Sequence, residues 1–257
     1  MLEFLRRRRR RKLSAEAPPA EWRRIAEANI PSFARGSIAK QTAMLHHARI
    51  LLDEKHWEGS GGLELTEEIR VTIAVQAARL LLGNPSDYFP NVRTVLVYPT
   101  TIAQTGPRHE GGGIWSEHER PAAGLATKRL GVIVLAWDAV RHSARTPDDG
   151  YDVVLHEFAH ALDFEDGHFN GAPALNSAQE YRAWARALQP AFEEHQGAID
   201  QGTETLLDAY GATDPAEFFA VLTETFFERP LDLRMKHPGL YDQLRQFYRQ
   251  DPARPAA

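Results

Sequence analysis

The sequence contains no cysteine. That excludes disulfides, thiolate metal ligands and a cysteine nucleophile, and it fits a reducing compartment. No apolar run approaches the ~20 residues needed to span a bilayer. The basic run from Arg6 to Lys12 is followed by Leu13-Ser14-Ala15-Glu16-Ala17-Pro18-Pro19. A secretory or twin-arginine signal needs an apolar stretch at that place. A cytoplasmic location is therefore expected, with no membrane partner. No internal repeat is visible, which excludes solenoid and propeller architectures.

The chain has 257 residues, 43% of them hydrophobic and 25% charged. That suffices for a substantial core. The formal net charge of -5 is unevenly placed, because residues 6–12 hold seven of the 30 basic residues while the chain carries 35 acidic ones. Residues 1–18 read as a disordered, arginine-rich tail, and residues 19–257 as a single domain. The body is too acidic to extend the basic run into a nucleic-acid surface, so no direct nucleic-acid binding is expected.

Local signals place the elements. Pro18-Pro19 opens a helix through Ile25, and a second runs from about Ser37 to Asp53. Thr66 caps a third, with Glu67 and Glu68 in its first turn. Thr94 to Tyr98 is β-branched and stopped by Pro99, which reads as a strand. Residues 100–128 form a long glycine-containing connection, and Gly131 to Asp138 is the strongest strand signal. A helix follows from Tyr151 to about Phe164. Ser177 and Glu180 form a capping box for another, bent or ended near Pro190. Asp214-Pro215 opens a helix through Phe227, and a last one covers Gly239 to Gln250. Helices flanking a small, strand-rich middle predict an α+β fold with a small mixed sheet.

The chemistry concentrates at His156-Glu157-Phe158-Ala159-His160, an HExxH motif. On a helix, positions i and i+4 lie one above the other, so both imidazoles reach one metal ion. Glu157 beside them can accept a proton from a water activated by that ion. The apolar flanks Val153-Val154-Leu155 and Ala161-Leu162 bury the helix. Two histidines and a glutamate there are costly to bury without a ligand to satisfy them. One zinc ion per chain is expected.

Catalytic zinc usually takes three protein ligands. Asp166 stands where the HExxHxxGxxH pattern has its third ligand, but that pattern needs glycine at the position of Asp163. Asp163 itself suits a hydrogen bond to a ligand histidine better. Glu217 and Glu224 lie seven residues apart on one face of an otherwise apolar helix. Glu217 also completes an Asp-x-x-Glu cap with Asp214. Spacing alone leaves both glutamates open.

The motif His156 to Asp163, followed by Asp208-Ala209-Tyr210-Gly211-Ala212-Thr213-Asp214-Pro215-Ala216-Glu217, resembles the Mlc titration factor A family of bacterial zinc peptidases. The likeness extends to Gly62 to Thr66, Val97-Tyr98-Pro99, Val134 to Asp138 and Gln246-Phe247-Tyr248. The catalytic domain of anthrax lethal factor is a more distant likeness. The resemblance implies a zincin-like metallopeptidase fold with the motif on a buried helix. It also implies Glu217 as third zinc ligand and Tyr210 as a catalytic residue that donates a hydrogen bond to the oxyanion. Aminopeptidase activity on peptide substrates and binding of the glucose repressor Mlc are implied with it. The rival readings are a repressor-sequestering protein whose zinc site contributes little catalysis, and a non-peptidase zinc hydrolase.

Overall fold

A computed structural model describes residues 2–83, 87–100, 103–109, 115–121 and 131–254. Three strands, β1 (His56–Gly59), β2 (Thr94–Tyr98) and β5 (Val132–Ala136), form a sheet in the order β1-β2-β5. All three run parallel, with His56 opposite Thr94 and Thr94 opposite Val132. The expected mixed sheet is thus corrected. Strand direction follows from the connections, which a strand's own residues do not encode; here α5 (Glu67–Ala78) crosses between β1 and β2. Within the stretch read as a long connection, β3 (Ala103–His109) and β4 (Trp115–Pro121) form a separate antiparallel pair.

Helix α5 is the centre of the core. The Thr66 hydroxyl accepts from Ile69 N at its start, and every residue from Val71 to Ala78 is buried. Against it pack α2 (Ala20–Asn29), α4 (Ile38–Glu54) and α7 (Val153–Asp163). Residues 137–138, expected in the strand, instead open α6 (Trp137–Arg145). The helix capped by Ser177, α8 (Ala178–Asp200), does not end at Pro190 but continues past it. Beyond it come α9 (Pro215–Glu228), α10 (Pro230–Lys236) and α11 (Pro238–Tyr248). All of α9 from Ala216 to Glu228 is buried, which makes it the partner that α7 needs on its other side.

The arginine run is not a disordered tail in the structure. Leu2–Ala15 is a helix, α1, lying against α4. The reason is tertiary: Arg9 pairs with Asp53, Arg10 with Glu54, and Arg6 with Asp87. Those partners lie 44 to 81 positions away in sequence. A short α3 (Pro31–Ala34) completes the fold.

Candidate metal centre

The two histidines come from α7. Its start is fixed by Asp152, whose Oδ1 accepts from Val154 N at 3.0 Å and Leu155 N at 3.1 Å. The apolar positions Val154, Leu155, Phe158 and Ala159 are fully sequestered, which turns His156, Glu157 and His160 toward α9 and the sheet end. The start of α9 is set by Asp214, which accepts from Glu217 N at 2.9 Å. The cap predicted from Asp214 and Glu217 is therefore made by the Asp214 side chain, and the Glu217 carboxylate is left to point at α7.

Three donor atoms meet there. Glu217 Oε2 lies 3.0 Å from His156 Nε2 and 3.1 Å from His160 Nε2, and the two nitrogens are 3.2 Å apart. Among the described residues this is the cluster of histidine and acidic groups whose geometry could hold a metal ion. Tetrahedral zinc with ligands at 2.0–2.1 Å puts neighbouring ligand atoms about 3.3 Å apart. The triangle matches those edges. Two imidazole nitrogens and one carboxylate are also a donor set suited to zinc.

Electrostatics favour a cation at this point. Burial alone would lower the pKa of His156, but the carboxylates of Glu224, Glu217 and Glu157 outweigh it and push the imidazole up to about 10. Burial would raise Glu217, yet the hydrogen bonds and charges of His156 and His160 hold it far below the usual carboxylate range. A divalent ion can replace the proton that this arrangement retains.

The other candidates fall into place around the triangle. Glu224 does not enter it. Its Oε1 takes the outer nitrogen of His156, Nδ1, at 2.7 Å, and its Oε2 accepts from Asp152 N at 2.7 Å. A carboxylate at Nδ1 fixes the tautomer that presents Nε2 to the centre. Asp163 accepts from Gly171 N at 3.1 Å instead of bonding a histidine. That contact ties the end of α7 to the loop at Gly171, which in turn packs against Pro215 at the start of α9. Gly171 has φ +74, and a Cβ there would stand 2.3 Å from Pro215 O, so only glycine fits. Asp166 is exposed, and its carboxylate accepts from His168 N. Tyr210, on the 3-10 turn Ala209–Ala212, lies with its ring stacked on His156, centroids 5.9 Å apart and planes at 23°. Asp208 accepts from Tyr210 N, while α8 braces the turn through His195 Nε2 on Asp208 O and Gln196 Nε2 on Ala212 O.

A buried group that sequence reading missed stands behind the centre. Arg79 Nη1 contacts Glu228 Oε1 at 2.7 Å and Asp152 Oδ2 at 3.3 Å, and its Nη2 donates to Phe227 O. Nothing in the sequence near Arg79 marks it, since its partners are 73 and 149 positions away. In front, Glu157 and His160 line a cleft with Val132 and Ile133 of β5 and the stacked rings of Phe164 and Phe169.

Known proteins resemble the chain over most of its length. A protein of Synechocystis described as uncharacterized protein slr2042 is 33% identical over 244 residues, 95% of this chain and 89% of its own length. Mlc titration factor A of Yersinia enterocolitica is 31% identical over 236 residues, covering 91% of this chain and 86% of the relative. The protein of the same name from Yersinia pestis is also 31% identical, with 91% and 85% covered. The family model of the glucose-regulated metallo-peptidases M90 matches residues 4–249, and the chain belongs to that family.

Proposed function

We propose that the chain is a zinc-dependent peptidase with one zinc ion held by His156, His160 and Glu217. The observation that carries this reading is the triangle of donor atoms with edges of 3.0 to 3.2 Å. When bound, zinc supplies the Lewis acid that activates water and polarises the scissile carbonyl. Glu157 takes the proton of the attacking water and delivers it to the leaving amine. Its burial next to His160 keeps that carboxylate in a water-poor cleft, where proton transfer is well directed. The Tyr210 hydroxyl donates a hydrogen bond to the oxyanion as the carbonyl becomes tetrahedral. Glu224 holds His156 in place through Nδ1.

Among the described residues β5 pairs only with β2, and in this proposal its other edge, beside Glu157, receives an extended peptide. Aminopeptidase action is the finer reading we favour, by the family likeness. The relatives' name supports a second role, binding of the repressor Mlc. Residues 19–257 act as the catalytic unit in this proposal, and the working location is the cytoplasm. Among the described residues no helix is long and apolar enough to cross a membrane.

The test is a peptide-library profile of the zinc-loaded protein beside Glu157→Gln. The variant should hold about one zinc per chain and lose hydrolysis. Cleavage that persists in Glu157→Gln sinks the mechanism. Mlc binding that persists in the inactive variant establishes the second role independently of catalysis.

A further inference from the structure

Helix α1 divides its side chains between two faces. With 3.6 residues per turn, Arg6, Arg10 and Leu13 fall on one side. There Arg10 forks onto Glu54, with Nε at 2.6 Å from Oε1 and Nη2 at 2.8 Å from Oε2, and its guanidinium lies 4.5 Å from the ring centroid of Tyr88. Arg6 pairs with Asp87, and Leu13 packs on the core. These contacts hold α1 to the body as a preformed helix.

The opposite side carries Phe4, Arg8 and Arg11 at i, i+4 and i+7, flanked by Leu5 and Lys12. All five are exposed. Phe4 is 63% and Leu5 51% exposed, among the most exposed large apolar side chains of the described residues. Arg8, Arg11 and Lys12 make no ion pair among the described residues. Cations and large apolar groups therefore share one outward face, while Arg6, Arg9 and Arg10 of the same helix are spent on anchoring.

We infer that this face docks the protein on an anionic lipid surface. The charge complements acidic headgroups, and Phe4 and Leu5 stand where they can enter the boundary between headgroups and acyl chains. A nucleic-acid partner fits worse. It would leave the exposed side chains of Phe4 and Leu5 in water, since a phosphate backbone offers no apolar layer to bury them. The acidic body likewise turns away from the membrane, so charge segregation sets one orientation, α1 down. Because the helix is already folded on α4, docking needs no ordering of a disordered segment. The inference concerns the bilayer surface and asks for no spanning segment, and it is independent of the peptidase reading.

The experiment is co-sedimentation of the full chain with phosphatidylcholine vesicles, with and without phosphatidylserine. Partition should require phosphatidylserine and weaken as salt is raised. Arg8→Ala/Arg11→Ala/Lys12→Ala should lower it about a hundredfold, from three surface cations. Phe4→Ser/Leu5→Ser should lower it at least about tenfold with all charges kept. Thermal melting should be unchanged in both, since these side chains contact water. Partition that is absent at low salt, or indifferent to the triple change, overturns the inference. So does binding to duplex DNA or RNA that the triple change abolishes and Phe4→Ser/Leu5→Ser leaves intact, because the partner is then nucleic acid. Either variant failing to fold directs the test to Arg8→Glu alone, which should still reduce partition on phosphatidylserine vesicles.

Discussion

Removing Arg79 should be among the most damaging single changes outside the metal centre. The side chain is 8% exposed and sits between Asp152 at 2% and Glu228 at 4%. Arg79→Met keeps the volume and the contact with Phe227 but deletes the cation. Two buried carboxylates then lose their counter-charge, which costs about 3–5 kcal/mol. In a chain of this size that is roughly 10 °C of melting temperature. The loss should also depend on pH. Burial pushes the Asp152 carboxyl up to about 7 even with Arg79 opposing it. Without Arg79 its pKa rises further, so acid solution relieves the strain by protonation and mildly alkaline solution does not. The sign follows from linkage: a carboxyl whose folded pKa is raised stabilises less as pH climbs through that value. Arg79→Met should therefore lose more stability at about pH 8 than at about pH 5.5. Urea melts of parent and variant at the two pH values measure this, with the denaturant slope checked for constancy. Arg79→Met/Asp152→Asn should recover part of the deficit. A loss under about 1 kcal/mol at the higher pH, or one independent of pH, refutes the reasoning.

Other outcomes follow from the same geometry. Glu217→Ala should abolish zinc retention in metal analysis, whereas Glu224→Gln should keep zinc but weaken its affinity about 10–100-fold, as expected for a side chain that orients a ligand; equal affinity in both variants contradicts the assignment. Tyr210→Phe should retain zinc and fold normally while turnover falls about 10²-fold, and full activity would make the tyrosine structural. Burial, reinforced by His46, lowers His47 to about 4. Its neutral form is bonded to the Tyr88 hydroxyl at 2.9 Å, so the parent should lose up to about 3 kcal/mol as pH falls from about 6.5 to about 4. His47→Phe should flatten that acid limb in thermal melts, and a parallel decline in both proteins would assign it elsewhere.

Sequence reading singled out the candidate donor residues more readily than the fold around them. His156 and His160 were legible because their spacing is imposed by the helix itself. Glu217 was singled out by the family likeness, since a cap and a ligand have the same local pattern; in the structure Asp214 accepts at the cap and the Glu217 carboxylate lies against both histidines. Glu224 was noticed for its face on α9, but its contact with the outer nitrogen of His156 needs the packing of two helices. Arg79 was invisible for the same reason, amplified by distance along the chain. The caps at Thr66 and Ser177 were readable because each bond is closed within three residues. Strand β1 was missed because His56-Trp57-Glu58-Gly59 has little strand character and takes its form from pairing with β2. The fate of the arginine run depended on acidic groups on α4 and at Asp87, which no local rule connects to it.

The donor triangle also has a history along the chain. His156 and Glu217 are 61 positions apart, and His160 and Glu217 are 57. A contact that joins them only in the folded chain closes a ring of about 60 residues containing all of α8, and in chain-entropy terms that closure costs about 4 kcal/mol. The span sets an order of events during synthesis as well. At about 5–20 residues per second, the two histidines leave the ribosome several seconds before the carboxylate that completes their set. In that interval α7 is a two-histidine helix with no third donor and no α9 to cover it. In the proposed site, metal selection is then a late event, made when α9 docks and the ring shuts.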